Sequence, residues 1–356
     1  MSNATLPNSV IAGARPGPRN LITDVDGLLV GNAVDEQMAT GVTVLRAPMR
    51  AAAAVDVRGG GPGTRETDLL SSENTVRAVD AIVLSGGSVY GLEAASAVTN
   101  WLGARGHGYS LLNTPYVAPI VPAAILFDLT NGGSKDWGET PPYHRLGIEA
   151  VAAAGQDFPL GNVGAGYGAR AGAYKGGLGS ASVVTEAGFV VGALVAVNAF
   201  GSPLMPGTTT LWAQPYAMGD EMGPRQPYPM GEMPAGLPDD TKLSLAQGLS
   251  SAQEGQNTTI GIVATNADLS AGEAKRLAVM AQDGFARTLR PVHAPVDGDV
   301  IFAVGTGEKP MGDWPVLALL ELGSLAADCM ARAVGRAVWE AQGTADAPGL
   351  QDLRKA

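Results

Sequence analysis

One cysteine and three histidines among 356 residues leave few of the commoner catalytic devices open to this chain. Cys329 has no partner for a disulfide within the chain, and His107, His144 and His293 stand at no metal-ligand spacing. A Ser-His-Asp triad lacks the Gly-x-Ser-x-Gly elbow that would present its serine. A hydrolase built from this chain would therefore draw its base from something other than histidine. Charge is scarce as well, at 16% of residues, with a net −11 and no Lys/Arg cluster. A phosphate backbone needs a concentrated positive face, so nucleic acid is not an expected partner. No run reaches the ~18 to 20 uninterrupted apolar residues of a membrane helix, and Met1 to Asn20 shows neither a basic n-region nor an apolar h-region. The expectation is a soluble, cytoplasmic protein.

What is abundant is small and apolar. Hydrophobic residues make up 46% and the 49 glycines are about twice the usual share, with few aromatics. Such a composition suits one large layered domain over residues 1–356, with closely packed sheets and helices. Alternating apolar residues from Leu21 to Leu45 around Asp26-Gly27 read as two short strands and a turn. Ala53 to Val57 reads as a strand running into Gly59-Gly60-Gly61-Pro62-Gly63. No Gly-Lys-Ser/Thr follows, which favours a tight structural turn over a phosphate cradle. Asp80 to Leu84 is a buried strand leading through Ser85-Gly86-Gly87-Ser88 into a helix from about Tyr90 to Leu102. Ile120 to Leu129 has the texture of a central strand, Leu146 to Ala154 of a helix, and Phe189 to Val197 of a β-branched strand ending at Asn198. This alternation argues for layered α/β architecture.

Between Ser202 and Gln256 the texture changes to eight prolines among Met, Gly and Tyr, which reads as a long surface excursion. An apolar strand from Thr258 to Asn266 follows at once. Ser270 and Glu273 form a capping box for a helix to about Leu289, Asp297-Gly298-Asp299 is a tight turn into the strand Val300 to Val304, and a last helix covers Pro315 to about Ala341.

A threonine at the start of a buried strand, behind a flexible approach, is what an N-terminal nucleophile needs. Its hydroxyl attacks the preceding carbonyl, an N-to-O shift gives an ester, and water releases a new α-amine of pKa near ~7.7 to 8.0, poised to act as a base. Thr258 meets that description. From pattern alone, Thr258 and Thr259 are better read as ordinary β-branched strand residues.

The chain resembles the DmpA family of self-processing aminopeptidases, and within that superfamily the nylon hydrolases that cut 6-aminohexanoate oligomers. The likeness rests on Asp56-Val57-Arg58-Gly59-Gly60, Ser85 to Ala94, Lys175-Gly176-Gly177, Val197-Asn198, Asn257-Thr258-Thr259-Ile260 and Asp297-Gly298-Asp299. The resemblance implies a four-layer αββα sandwich of the DmpA and ornithine acetyltransferase type, and cleavage between Asn257 and Thr258 into fragments 1–257 and 258–356. It implies no cofactor or metal, and a tetramer of processed protomers. Residue by residue it makes Thr258 the nucleophile and places Lys175 near the new amine. Asn198 becomes an oxyanion donor, Tyr90 an orienting residue, and Asp297 and Asp299 the acidic pair holding the nucleophile's hydroxyl and amine. The bland readings are a solvated lysine, a strand-end asparagine, a core tyrosine and an Asp-Gly turn. Serine-type aminopeptidases of the family carry a Ser-x-Glu pair instead, whereas Pro62 to Asp68 resembles their branch. The implied substrates are 6-aminohexanoate oligomers or short peptides and amino acid amides with β- or D-residues. Acyl transfer of the ornithine acetyltransferase kind and a non-catalytic, uncut homologue are the alternatives.

Overall fold

The computed structural model describes residues 9–228, 235–245 and 257–355. Its principal strands are β1 (Leu29–Asp35), β2 (Thr40–Val57), β3 (Ala78–Ser85), β4 (Ala123–Ile125), β5 (Leu178–Val184), β6 (Val190–Asn198), β7 (Thr258–Ala267) and β8 (Val300–Lys309). The main helices are α1 (Glu93–Gly103), α2 (Tyr143–Ala152), α3 (Ala271–Ala286) and α4 (Pro315–Glu340). Hydrogen bonding runs β5-β6-β7-β8-β2-β3-β4, with β1 also paired to β2 and the two-residue strands Arg15–Pro16 and Thr64–Arg65 at the edges. The pairs β7/β8 and β3/β4 are parallel.

The layers follow from β2. Its pairing with β3 shifts register between Arg46 and Ala51, so the strand bends and serves two sheets. Thr40 to Arg46 pairs with β1 and β3, whereas Ala52 to Val57 pairs with β8. Three separate apolar clusters mark the interfaces this creates. Val263, Ile301 and Ala193 pack beneath α3 and α4; Ile260, Phe302, Leu194 and Leu45 fill the space between the sheets; Val42, Val83 and Leu146 pack beneath α1 and α2. Period-2 alternation along β7 thus sends its even-numbered side chains between the sheets and its odd-numbered ones toward the helices. The result is the four-layer αββα sandwich.

The capping box forms as expected: Glu273 N donates to Ser270 Oγ, and Ser270 N to Glu273 Oε2 at 2.7 Å. Three expectations need correction. The hairpin turn lies between Asp35 and Thr40, because Asp26-Gly27 follows a single 3-10 turn and only leads into β1. The strand expected from Ile120 to Leu129 shrinks to Ala123–Ile125: Ile120 O, Pro122 O and Leu126 N still bond to β3, but Pro122 has no N–H to give and Ile120 N turns to Asp80 Oδ2. The proline-rich stretch is no mere surface excursion: Leu204, Met205, Leu211, Ala213 and Met222 are buried, most of them against α3 and α4. Its parts 229–234 and 246–256 lie outside the described residues. Among the described residues no helix is long and apolar enough to cross a membrane.

Candidate active site

Thr258 opens β7 and is buried, on the side facing the inter-sheet space. Its hydroxyl donates a hydrogen bond to the carbonyl oxygen of Asn257, so the nucleophilic atom and the bond expected to break lie against one another. The same carbonyl accepts the backbone N–H of Gly298 at 2.9 Å. A hydroxyl on one side and a fixed N–H donor on the carbonyl oxygen are two of the parts an acyl-transfer step requires. Asn257 is itself buried, and its side-chain Oδ1 has no hydrogen-bond partner among the described residues.

Backbone approach explains the glycines here. Gly61 N donates to Asp297 O at 2.8 Å, and Arg58 N to Asp299 O at 2.9 Å. A Cβ on Gly59 would stand 2.3 Å from Asp299 N. The Gly59–Gly63 loop is therefore a backbone rest for Asp297–Asp299, which is not the tight turn expected: the turn closes earlier, where Asp297 N–H donates to Ala294 O at 2.9 Å, and residues 297–299 run on beside Asn257 toward β8. Asp56 anchors its start. Burial would raise the Asp56 carboxyl, but hydrogen bonds from Lys275 (2.7 Å) and Arg58 (2.6 Å) outweigh it and hold the group below its usual range.

The acidic pair holds backbone rather than the hydroxyl of Thr258. Asp299 Oδ1 accepts Thr259 N–H at 2.7 Å, and its Oδ2 accepts His293 N–H at 3.0 Å and lies 2.9 Å from His293 Nδ1. Asp297 accepts the N–H groups of Phe200 and Ala294, each at 3.1 Å. Burial and then the neighbouring Asp299 charge push the Asp297 carboxyl up to about 7. Together the two carboxylates fix the backbone on both sides of Asn257-Thr258.

Asn198 lies directly opposite Thr258 in the β6/β7 register. Its side chain is held at both atoms: Nδ2 donates one hydrogen to Phe127 O at 2.9 Å, while Oδ1 receives Asn131 Nδ2, Arg170 N and Lys242 Nζ. Lys175 is buried, and its three ammonium protons go to the carbonyls of Gly166, Ala169 and Gly176 at 2.8 to 3.2 Å. Burial, with help from Arg170, pushes it down to about 7. Tyr90 is 48% exposed and packs edge-on against Trp137 at 5.4 Å, so no hydrogen bond brings it to Thr258.

Two residues at the site escaped sequence reading. His293 gave no signal, because nothing in the sequence ties it to Asp299 before the chain folds. Lys242 had one: it is the sole Lys or Arg between Arg225 and Lys275.

The fold is a variant of the N-terminal-nucleophile hydrolases. It superposes on the L-aminopeptidase D-Ala-esterase/amidase of Ochrobactrum anthropi with a TM-score of 0.66 at 22% identity, covering 98% of this chain and 95% of that one. A Burkholderia sp. beta-aminopeptidase gives a TM-score of 0.65 at 23% identity, covering 97% and 96%. The model of peptidase family S58 matches residues 20–351, and the chain belongs to that family. An uncharacterized aminopeptidase of Mycobacterium tuberculosis is 43% identical over 94% of this chain and 98% of its own length. A 6-aminohexanoate-oligomer endohydrolase of Kocuria sp. is 30% identical over 84% of this chain and 78% of that protein. The protein is thus an amide-bond hydrolase of the aminopeptidase and amidase kind.

Proposed function

We propose that this amidase matures by cutting its own Asn257-Thr258 bond and then works through Thr258 as an N-terminal nucleophile. The observation that carries the reading is the Asn257 carbonyl, held between the Thr258 hydroxyl and the Gly298 N–H. Oγ adds to the Asn257 carbonyl carbon, and the developing oxyanion stays on the Gly298 N–H. The hydroxyl proton passes to the Thr258 nitrogen, collapse expels that nitrogen as a free amine and leaves an ester on Oγ, and water opens the ester to a carboxylate on Asn257 and the restored Thr258 hydroxyl. The amine then takes the hydroxyl's proton as Oγ attacks a substrate amide, and returns it to the departing amine. A second water frees the acid. Asp297 and Asp299 hold the backbone in place, Lys175 ties down the loop beneath, and Asn198 braces the strand beside the nucleophile. Asn198 and Tyr90 are proposed to turn toward substrate once the Asn257-Thr258 bond is cut.

The substrates proposed are linear amides with a free amino end: 6-aminohexanoate oligomers, or short peptides and amino acid amides with β- or D-residues. Similarity to both an aminopeptidase and an oligomer endohydrolase supports this class. Trp314, Val316 and Leu320, exposed along the start of α4, offer an apolar face for the proposed homotetramer. Intact mass of the wild-type protein and of Thr258→Ala tests the reading. Two fragments meeting at residue 258 in the first, and one uncut, inactive chain in the second, are expected. A Thr258→Ala protein that still cuts itself would overturn it.

A further inference from the structure

Lys242 lies outside every motif that suggested the site. It stands at the start of a four-residue helix, Lys242–Leu245, with its own N–H on Phe200 O at 3.1 Å. Its ammonium donates to both oxygens of Asn198, the backbone carbonyl at 3.0 Å and Oδ1 at 3.1 Å.

Strand alternation shows what else meets that carbonyl. Thr259 N–H points to Asp299, on the β8 side, and Val197 N–H points to Gly177 O, on the β5 side. The peptide groups of Thr258 and Asn198 must therefore face each other, because successive residues of a strand direct their N–H and C=O groups to opposite neighbours. The Thr258 nitrogen and the Lys242 ammonium thus converge on the Asn198 carbonyl, which puts them about 4 to 5 Å apart at ordinary hydrogen-bond lengths. We propose that Lys242 is a positioning residue that holds the proton at this shared carbonyl and so keeps the α-amine of processed Thr258 neutral and able to act as a base. The inference rests on the self-processing reading above.

Two amines at one carbonyl oppose each other's charging, and the proton settles on the one with the better acceptors. Lys242 has two oxygens of Asn198 and faces Asp297, whereas strand pairing gives the Thr258 nitrogen the Asn198 carbonyl. Other charged groups surround the pair. On the segment before β8 stand Asp297 and Asp299, the latter bound to His293. Arg170 and Lys175 belong to the loop before β5, Asp128 to the loop after β4, and Arg58, turned onto Asp56, follows β2. Lys175 is committed to three carbonyls and Arg58 to Asp56, which leaves Lys242 as the cation on the carbonyl that faces the nucleophile's nitrogen. In the uncut chain burial and Arg170 push the Lys242 ammonium down to about 7 while Asp297 opposes the fall, so once Thr258 is freed the two amines compete for one proton across the same pH range.

Periodate cleaves an N-terminal threonine only through its free, neutral amine, so it reads this amine without any substrate. The processed wild-type protein, Lys242→Gln and Lys242→Arg would each be treated with periodate across pH, and the mass change of the 258–356 fragment followed. The reaction midpoint in the wild type should lie below the ~7.7 to 8.0 of an ordinary α-amine. Lys242→Gln should raise it by about one unit, and Lys242→Arg, which keeps the cation, should not. Equal midpoints in all three would refute the role of Lys242 while leaving Thr258 as the nucleophile. A wild-type chain that stays whole would instead refute the self-processing reading. If Lys242→Gln does not mature, the wild-type and Lys242→Arg midpoints decide, since values at the ~7.7 to 8.0 of an ordinary α-amine would overturn the proposal; folded but uncut protein in both variants would assign Lys242 to the cleavage step and overturn it too.

Discussion

Adding one carbon at Gly298 tests the geometry of the cleavage site with little else disturbed. Gly298 is not in the left-handed region, so alanine costs nothing in backbone strain there. The new Cβ would stand 2.8 Å from Thr258 Oγ1 and 2.7 Å from Gly61 O. Ordinary contact begins near 3.4 Å, so about 0.6 Å must be found. Gly61 is poorly able to yield, because its own N–H is bonded to Asp297 O at 2.8 Å. The threonine hydroxyl, on one rotatable bond, is the group that moves, and it moves off the Asn257 carbonyl. Misplacement approaching 1 Å costs on the order of 100-fold in a positioned reaction, which is about 2.7 kcal/mol at the barrier. Overpacking should also lower stability by about 1 to 3 kcal/mol. The assay is the appearance of the two fragments over time on a denaturing gel, with urea melts of the uncut Thr258→Ala and Thr258→Ala/Gly298→Ala proteins to isolate the stability effect. Processing of Gly298→Ala at the wild-type rate would refute the placement of Gly298 against the nucleophile.

Lys175→Met should remove the donor to three buried carbonyls and lower the unfolding free energy by about 3 kcal/mol or more, read from urea melts of the uncut protein. The same lysine gives a pH signature. Its folded pKa is pushed down to about 7, so between there and the ~10.4 of an unfolded lysine the unfolded chain binds the extra proton and stability rises with pH. Lys242 contributes with the same sign, and Lys175→Met should flatten but not abolish the slope in melts from pH 7 to 9. Asp299→Ala should release Thr259 N–H and His293 together, slowing self-cleavage more than tenfold on the same time-course gel. Thr258→Ser should still cut and hydrolyse, since serine keeps the hydroxyl; intact mass checks this. Val316→Glu with Leu320→Glu should convert a tetramer to smaller species in light scattering without affecting cleavage.

Features written in neighbouring residues were legible in the sequence. The Ser270/Glu273 capping box, the apolar run of β7 and the helical period of α4 depend on groups a few residues apart, and each forms where expected; a turn before β8 forms too, but at Ala294–Asp297, with Asp297-Gly298-Asp299 lying beyond it. The same locality brings Thr258 onto Asn257, because a strand that starts at residue 258 presents its first hydroxyl beside the peptide bond before it. Tertiary structure decided what lies around that bond. It seated the Gly59–Gly63 loop beneath Asp297–Asp299, put His293 on Asp299, turned Tyr90 to Trp137, and brought Lys242 to Asn198 from a stretch with no periodic signal. All but His293 and Asp299, six residues apart, join groups far apart in the chain, and such approaches depend on the packing of the layers rather than on neighbouring residues. The cleavable bond is local chemistry, whereas its oxyanion donor, its carboxylates and its neighbouring cation exist only once the layers have closed.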